Sequence, residues 1–225
     1  MPAEIRALIF DMDGVIVDSN PLHRAAWAEY SRRHGVETTE AMQTRMYGKR
    51  NDAIVRDFLG DRLTDGQVLE HGAAKERLYR EMMTPRLAEA LVPGVREFIA
   101  RHTNLPMALA TNAEPANVDF VLDGASLRNF FAAIVDGQQV SRPKPHPEIY
   151  LRAADLLGVS PEFCVVFEDS ETGVQAGLGA GMSVVGVSTT HEELLGVSFQ
   201  VDNFRDPALE TWLLARLPNT VPPAM

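Results

Sequence analysis

Short apolar runs recur along this chain, and the stretches between them carry apolar residues at helical spacing. The runs are "IRALIFD", "PMALAT", "AAIVDG", "FCVVFED", "MSVVGVS" and "FQVDNF". Each is rich in Val, Ile, Phe or Ala and is bounded by Gly, Pro or polar residues, as buried parallel strands are. Helical patterns separate them: "GVREFIARH", "PANVDFVLDG", "PEIYLRAADLLG", "GVQAGLGAG" and "PALETWLLARL". Pro147 and Pro207 stand where a first helical position is expected, and Gly158 stands just past a helix end. From about Val92 onward the order is strand, helix, strand, helix. It predicts an α/β fold built on a doubly wound parallel sheet.

The segment from Ser19 to about Ala90 breaks that rhythm. It holds "PLHRAAWAEYSRRHG", "TEAMQTRMYGK", "NDAIVRDFLG" and "TDGQVLEHGAAKERLYREMM", all of helical period and without a convincing strand. The expected organisation is a core of residues 1–18 and 91–225, with a small all-helical domain of residues 19–90 inserted after the first strand. "VPGV" at Val92–Val95 marks the return to the sheet. The Met-rich "YREMMTP" fits either the helical core or an interface.

Composition narrows the classes. The 225 residues are 45% hydrophobic and carry a formal net charge of −10. That balance argues against a nucleic-acid scaffold, which presents a basic stripe. An anionic substrate stays compatible, since a few local cations and a metal reverse the field inside one cleft. Cys164 is the single cysteine, so no intrachain disulfide forms, and its place in an apolar run reads as a buried structural thiol. No stretch approaches the ~20 apolar residues of a membrane span, and the N-terminus shows no signal-peptide pattern. The expectation is a cytoplasmic protein, monomeric or weakly dimeric, acting on a small molecule.

Ligands of open α/β sheets bind at the carboxyl ends of the strands, and there the polar residues gather. Asp11 and Asp13 end the first run, Thr111 and Asn112 end "MALATN", and Glu168 with Asp169 ends "CVVFED". Lys144 lies in "SRPKPHPEIY", in the loop after "AAIVDG". Asp11, Glu168 and Asp169 make a hard-oxygen set of the kind Mg²⁺ uses. Lys144, the Thr111 hydroxyl and the start of the helix after Asn112 suit a phosphate. A carboxylate nucleophile then becomes plausible, through an aspartyl-phosphate. Alone, an Asp-x-Asp is as readily a turn or helix cap, and a Pro-rich loop is merely rigid. Four segments meeting on one rim carry the inference.

In order and approximate spacing, "DMDGVIVDS", "LATN", "RPKPHPEIY" and "VFEDSETGVQA" resemble the four motifs of the haloacid dehalogenase superfamily, closest in style to its β-phosphoglucomutase-like phosphatases and phosphohexomutases. The resemblance covers nearly the whole chain, and the helical insert resembles that family's cap. It implies Asp11 as nucleophile and Asp13 as general acid/base. Thr111, Asn112 and Lys144 would hold the phosphoryl group. Mg²⁺ would sit on Asp11, the Asp13 carbonyl, Glu168 and Asp169. It further implies an ionised Asp11 and an Asp13 with a raised pKa, and it excludes the metal-independent dehalogenases, which lack the second aspartate. In the cap, His23, Lys75 and the loop of Gly48, Lys49, Arg50 and Asn51 match substrate-facing positions. Their bland readings are a surface histidine, a solvated helical lysine and a helix cap. The mutases carry a basic residue just after the second motif, where this chain has Glu114. A Mg²⁺-dependent sugar-phosphate phosphatase is therefore expected ahead of a β-phosphoglucomutase-type mutase. A phosphoacceptor signalling domain and an inactive binding-only homologue are the readings from other classes. The first is about half this length and lacks a cap; the second fits poorly with intact motifs.

Overall fold

The computed structural model describes residues 4–46 and 49–218. Six strands form one parallel sheet in the order β3-β2-β1-β4-β5-β6: β1 (Ala7–Phe10), β2 (Met107–Ala110), β3 (Ala133–Val135), β4 (Cys164–Glu168), β5 (Ser183–Val187) and β6 (Phe199–Val201). The chain winds outward in both directions from β1, so the β1–β4 and β1–β2 neighbours open a crevice at their carboxyl ends. All six apolar runs became strands.

Alternate residues of each strand serve opposite faces of the sheet. Leu8 and Phe10 join one apolar cluster with Val165 and Phe167. Ala7 and Ile9 join the other with Cys164 and Val166. Both faces are covered by helices: α6 (Val95–Arg101), α7 (Pro115–Gly124), α8 (Glu148–Leu157), α9 (Glu171–Gly179) and α10 (Pro207–Leu214). Double coverage explains why these strands read as continuous apolar runs. Pro207 opens α10 as expected. Pro147 instead occupies the N-cap of α8, one position earlier than its expected place. Gly158 ends α8 with φ +67°, in the left-handed region. Cys164 is buried, with its thiol raised to about 12 by desolvation and by Glu162, an inert structural group.

Between β1 and β2 the chain is helical: α1 (Asn20–Arg33), α2 (Glu40–Thr44), α3 (Asn51–Leu59), α4 (Asp65–Met83) and α5 (Leu87–Ala90). Trp27, Tyr30, Ile54, Phe58, Val68 and Leu78 form a separate apolar cluster among these helices. Thr64 starts α4 through a reciprocal capping box with Gln67. The Met-rich segment is interior: Tyr79 and Met83 join the main core. The two connections between helical unit and sheet run side by side. Val17 bridges Leu91, and Asp18 N donates to the Ala90 carbonyl at 2.7 Å.

Candidate active site

The loop after β1 is wound tightly, with the amides of Val15, Ile16 and Val17 all donating to the Met12 carbonyl. Gly14 adopts φ +79°, and a Cβ there would overlap the Asp169 carboxylate. Only glycine lets this turn lie against the end of β4. Asp11 and Asp169 are thereby held on one floor, buried yet facing the cleft between sheet and cap. About 750 Å³ of empty space, partly open to solvent, lies above them.

Four strand ends deliver the floor. Lys144 Nζ lies 2.9 Å from Asp11 Oδ1 and donates to Glu168 Oε1 at 2.7 Å. The Asp11 contact is ionic and lacks hydrogen-bond geometry, which leaves Asp11 Oδ1 a buried oxygen with no regular donor. Thr111 accepts the Ala113 amide on its hydroxyl oxygen at 3.2 Å, keeping its O–H free to donate. Asn112 accepts the Lys144 amide at 3.3 Å and so fixes the loop that carries the lysine.

Glu168 is fully buried and consumed. Its Oε1 accepts from Lys144 and from the Tyr150 hydroxyl at 2.6 Å. Its Oε2 accepts from the Asp169 amide, the Ser170 amide and the Ser170 hydroxyl at 2.9, 3.1 and 3.0 Å. Asp11, Glu168 and Asp169 form a buried acidic cluster able to hold a metal ion. Within it, acceptor capacity facing the cleft belongs to Asp11 and Asp169, whereas Glu168 stands behind them. Asp11 Oδ1 is met by the Lys144 ammonium alone, outside regular hydrogen-bond geometry, and a cation beside it would add a second positive partner. Asp169 also accepts from Asn20 at 3.1 Å and from the Thr190 hydroxyl.

The protein's own groups act on the two aspartates of the loop in opposite directions. Burial raises Asp11 to about 7 in the metal-free protein, with Glu168 and Asp13 adding to the rise and Lys144 opposing it. Burial alone would raise Asp13 too. Hydrogen bonds from His23 and Ser19 outweigh it and hold Asp13 below the ordinary value. The expected order, Asp13 high and Asp11 low, is that of a site holding its cation and substrate; by the protein's own groups alone Asp11 is the higher. The reason is that Asp13 has donors built around it and Asp11 has one buried lysine and two carboxylate neighbours. Asp169 is raised well above its usual range by burial and by Glu168 and Asp11.

The Asp13 donors come from the start of α1. Ser19 donates to Asp13 Oδ1 at 2.5 Å, and His23 Nε2 lies 3.5 Å from the same oxygen. Lys75 Nζ reaches His23 Nδ1 at 2.8 Å. An ammonium only donates, so Nδ1 accepts and the ring proton sits on Nε2, aimed at Asp13. Lys75 is 1% exposed, paired with Glu76 at 2.8 Å and placed over the Trp27 ring at 4.9 Å. The bland reading of a solvated lysine fails. His23 stacks on Tyr79 with ring centroids 3.8 Å apart, so it is no surface residue either.

The remaining cap positions divide. Asn51 lines the cleft but donates its amide to Glu76 at 2.8 Å. Arg50 is the N-cap of α3 and is absent from the cleft lining; Lys49 takes that place. Gly48 lies outside the described residues. Trp27, Met46 and Ile54 add an apolar wall. Sequence reasoning missed Thr190, Asn20, Tyr150, Glu76 and Asn117. Thr190 follows β5 and was reachable by the same strand-end rule. Glu76 beside Lys75 gives no such signal.

The haloacid dehalogenase-like hydrolase family matches residues 5–181 of the chain. The chain belongs to this family. It is 34% identical over 182 residues to the fructose-1-phosphate phosphatase YqaB of Escherichia coli, covering 80% of this chain and 95% of that protein. It is 29% identical over 227 residues to the β-phosphoglucomutase of Bacillus subtilis, covering 97% and 100%. The solved β-phosphoglucomutase of Clostridium difficile superposes with a TM-score of 0.83 at 24% identity over 94% of this chain and 98% of that one, a likeness of fold. This haloacid dehalogenase-like protein is an enzyme of the phosphoric monoester hydrolase or phosphomutase kind. None of its described helices is long and apolar enough to cross a membrane.

Proposed function

We propose that this enzyme is a Mg²⁺-dependent phosphatase that hydrolyses a small phosphorylated metabolite, a sugar phosphate, through an aspartyl-phosphate on Asp11. The observation that carries the reading is the asymmetry of the two aspartates. Asp11 Oδ1, buried on the cleft floor, is met only by the Lys144 ammonium, whereas Asp13 is gripped by Ser19 and His23.

Asp11 and Asp169 would hold Mg²⁺ with the Asp13 carbonyl, and Glu168 would fix Lys144 and the Asp169 backbone behind them. When bound, Mg²⁺ supplies the positive charge that keeps the carboxylates ionised and the phosphate close. Lys144, the Thr111 hydroxyl and the amides after Asn112 orient the phosphoryl group. The Asp11 carboxylate attacks phosphorus, the bond to the substrate's ester oxygen breaks, and Asp13 gives that oxygen a proton. The arriving phosphate is an anion beside Asp13, which raises its proton affinity in the direction the step needs. Asp13 then takes a proton from water, whose oxygen attacks phosphorus and breaks the bond to Asp11. Inorganic phosphate leaves and both aspartates are regenerated.

Hydrolysis is favoured over mutase chemistry by the cleft wall. Glu76 and Glu114 line it, and the nearby Arg80 is already paired with Glu114 at 2.7 Å. Arg80 is thereby committed, and a bisphosphorylated intermediate would meet Lys49 beside two carboxylates there. The second reading, a β-phosphoglucomutase-type mutase, is favoured by the His23–Lys75 contact at Asp13 and by the full-length likeness to the Bacillus subtilis protein. Incubation with fructose 1-phosphate and with β-glucose 1-phosphate tests the choice. Mg²⁺-dependent phosphate release supports the phosphatase. Glucose 6-phosphate formed without phosphate release would overturn it.

A further inference from the structure

One polar side chain of the sheet unit is gripped by two residues of the cap. Asn117 sits in the first turn of α7, 2% exposed. Its amide donates to Glu76 Oε2 at 2.7 Å, and its carbonyl oxygen accepts from Arg80 Nη1 at 2.6 Å. Glu76 and Arg80 are four apart on α4 and so share a face. The same Arg80 nitrogen donates to Glu114 Oε1 at 2.7 Å. Glu114 is the N-cap of α7 but makes no side-chain bond to that helix, leaving its carboxylate for the cap.

The grip is continuous with the acid/base. Glu76 accepts from Lys75, Lys75 reaches His23, and His23 faces Asp13. Lys75 is held by Glu76 on one side and His23 on the other, so Glu76 sets where the lysine lies. A burial cost for Glu76 is offset by Lys75, Asn51 and Asn117; losing one returns part of that cost.

We propose that Asn117 is a positioning residue. Pinched between Glu76 and Arg80, it latches the cap onto the sheet before substrate arrives, and through Glu76, Lys75 and His23 it fixes the orientation of Asp13. Its bonds use no substrate atom, so closure needs no second phosphate or other distal group on the substrate. The kinetic part rests on the proposed phosphatase function; the closure part does not.

The test uses the full chain, with Asn117→Ala, the isosteric Asn117→Asp, Arg80→Ala and the double variant Asn117→Ala/Arg80→Ala. Small-angle scattering without substrate reads closure. The wild type is expected to be compact and each variant to have a larger radius of gyration. Identical scattering of the wild type and every folded variant would overturn the latch. Para-nitrophenyl phosphate and fructose 1-phosphate read the coupling. In Asn117→Ala, kcat is expected to fall about tenfold, the size of one lost charge-assisted bond. KM should change little, since the phosphate grip of Thr111 and Lys144 is intact. The double variant should be no worse than either single, as members of one unit are. A variant that opens with kcat unchanged, or single losses that multiply, would overturn the link to Asp13. Should Asn117→Ala fail to fold, Asn117→Asp carries both readouts. Wild type without phosphate release from either ester would count against the phosphatase reading, while scattering still decides the latch.

Discussion

The floor and the roof of the cleft are built on different principles. Floor residues come from separate strand ends, held by sheet hydrogen bonds across β1, β2, β3 and β4. Each is fixed by backbone before its side chain does anything. Roof residues come largely from one helix, where Lys75, Glu76, Tyr79 and Arg80 gain their positions from one another and from Asn117. The floor should therefore be chemically demanding and geometrically stable. The roof should tolerate fewer changes of partner, because its geometry is its polar network.

The sharpest break is at the floor. Asp11→Asn is expected to lower turnover by about four orders of magnitude or more, the scale for loss of a nucleophile. The fold should be kept, since the substitution removes a charge from a crowded acidic cluster. Steady-state phosphate release and a thermal melt check both halves. Next is Lys144→Met, which leaves Glu168 and Asp11 buried without their cation. Removing one partner of a buried pair costs about 3–5 kcal/mol, so urea denaturation should show a large loss together with lost activity.

Metal addition gives a floor effect that the roof should not share. Asp11 binds a proton up to about pH 7 when folded, against an ordinary value of 3.8. A carboxyl raised on folding stabilises below its unfolded value and gives that stability up as pH climbs through the folded one. Asp13, Glu168 and Glu76 are held low and work the other way, losing their share as pH falls. Mg²⁺ removes the Asp11 penalty, so its thermal shift should be larger at pH 8 than at pH 5. At a hundred times its dissociation constant the gain is about 2.7 kcal/mol. In Asp11→Asn that pH dependence should shrink; an equal shift at both pH values in the wild type would argue against the acidic cluster as the site.

At the roof, Lys75→Met keeps the floor intact and leaves His23 and Glu76 without their shared donor. A fall in kcat of about 10²-fold is expected, the lower scale for an acid/base effect, with Mg²⁺ binding unchanged. If Mg²⁺ binding fell as well, floor and roof would not be separable.

The same contrast explains what the sequence made readable. Strand ends are marked by where apolar runs stop, so Asp11, Thr111, Lys144 and Asp169 could be placed on one rim from the chain alone. The sheet, its helices and the helical insert followed from apolar period for the same reason. Thr190 escaped only because the rule was not carried past "MSVVGVS". The roof offers no such marker. Lys75 next to Glu76 reads like any solvated helical pair, and only packing against Trp27 and Tyr79 buries it. Arg50 and Lys49 are adjacent in sequence, and the start of α3 decides which one faces the cleft. The Ser19 and His23 donors that hold Asp13 low are likewise not revealed by spacing.

The claim at the centre is that Asp11 carries the phosphoryl group. Rapid acid quench of the enzyme turning over a ³²P-labelled sugar phosphate with Mg²⁺, followed by peptide mapping, tests it most directly. The account predicts label on the peptide containing Asp11, sensitive to hydroxylamine, and none in Asp11→Asn. Undiminished phosphate release by Asp11→Asn, with no labelled peptide in the wild type, would contradict it.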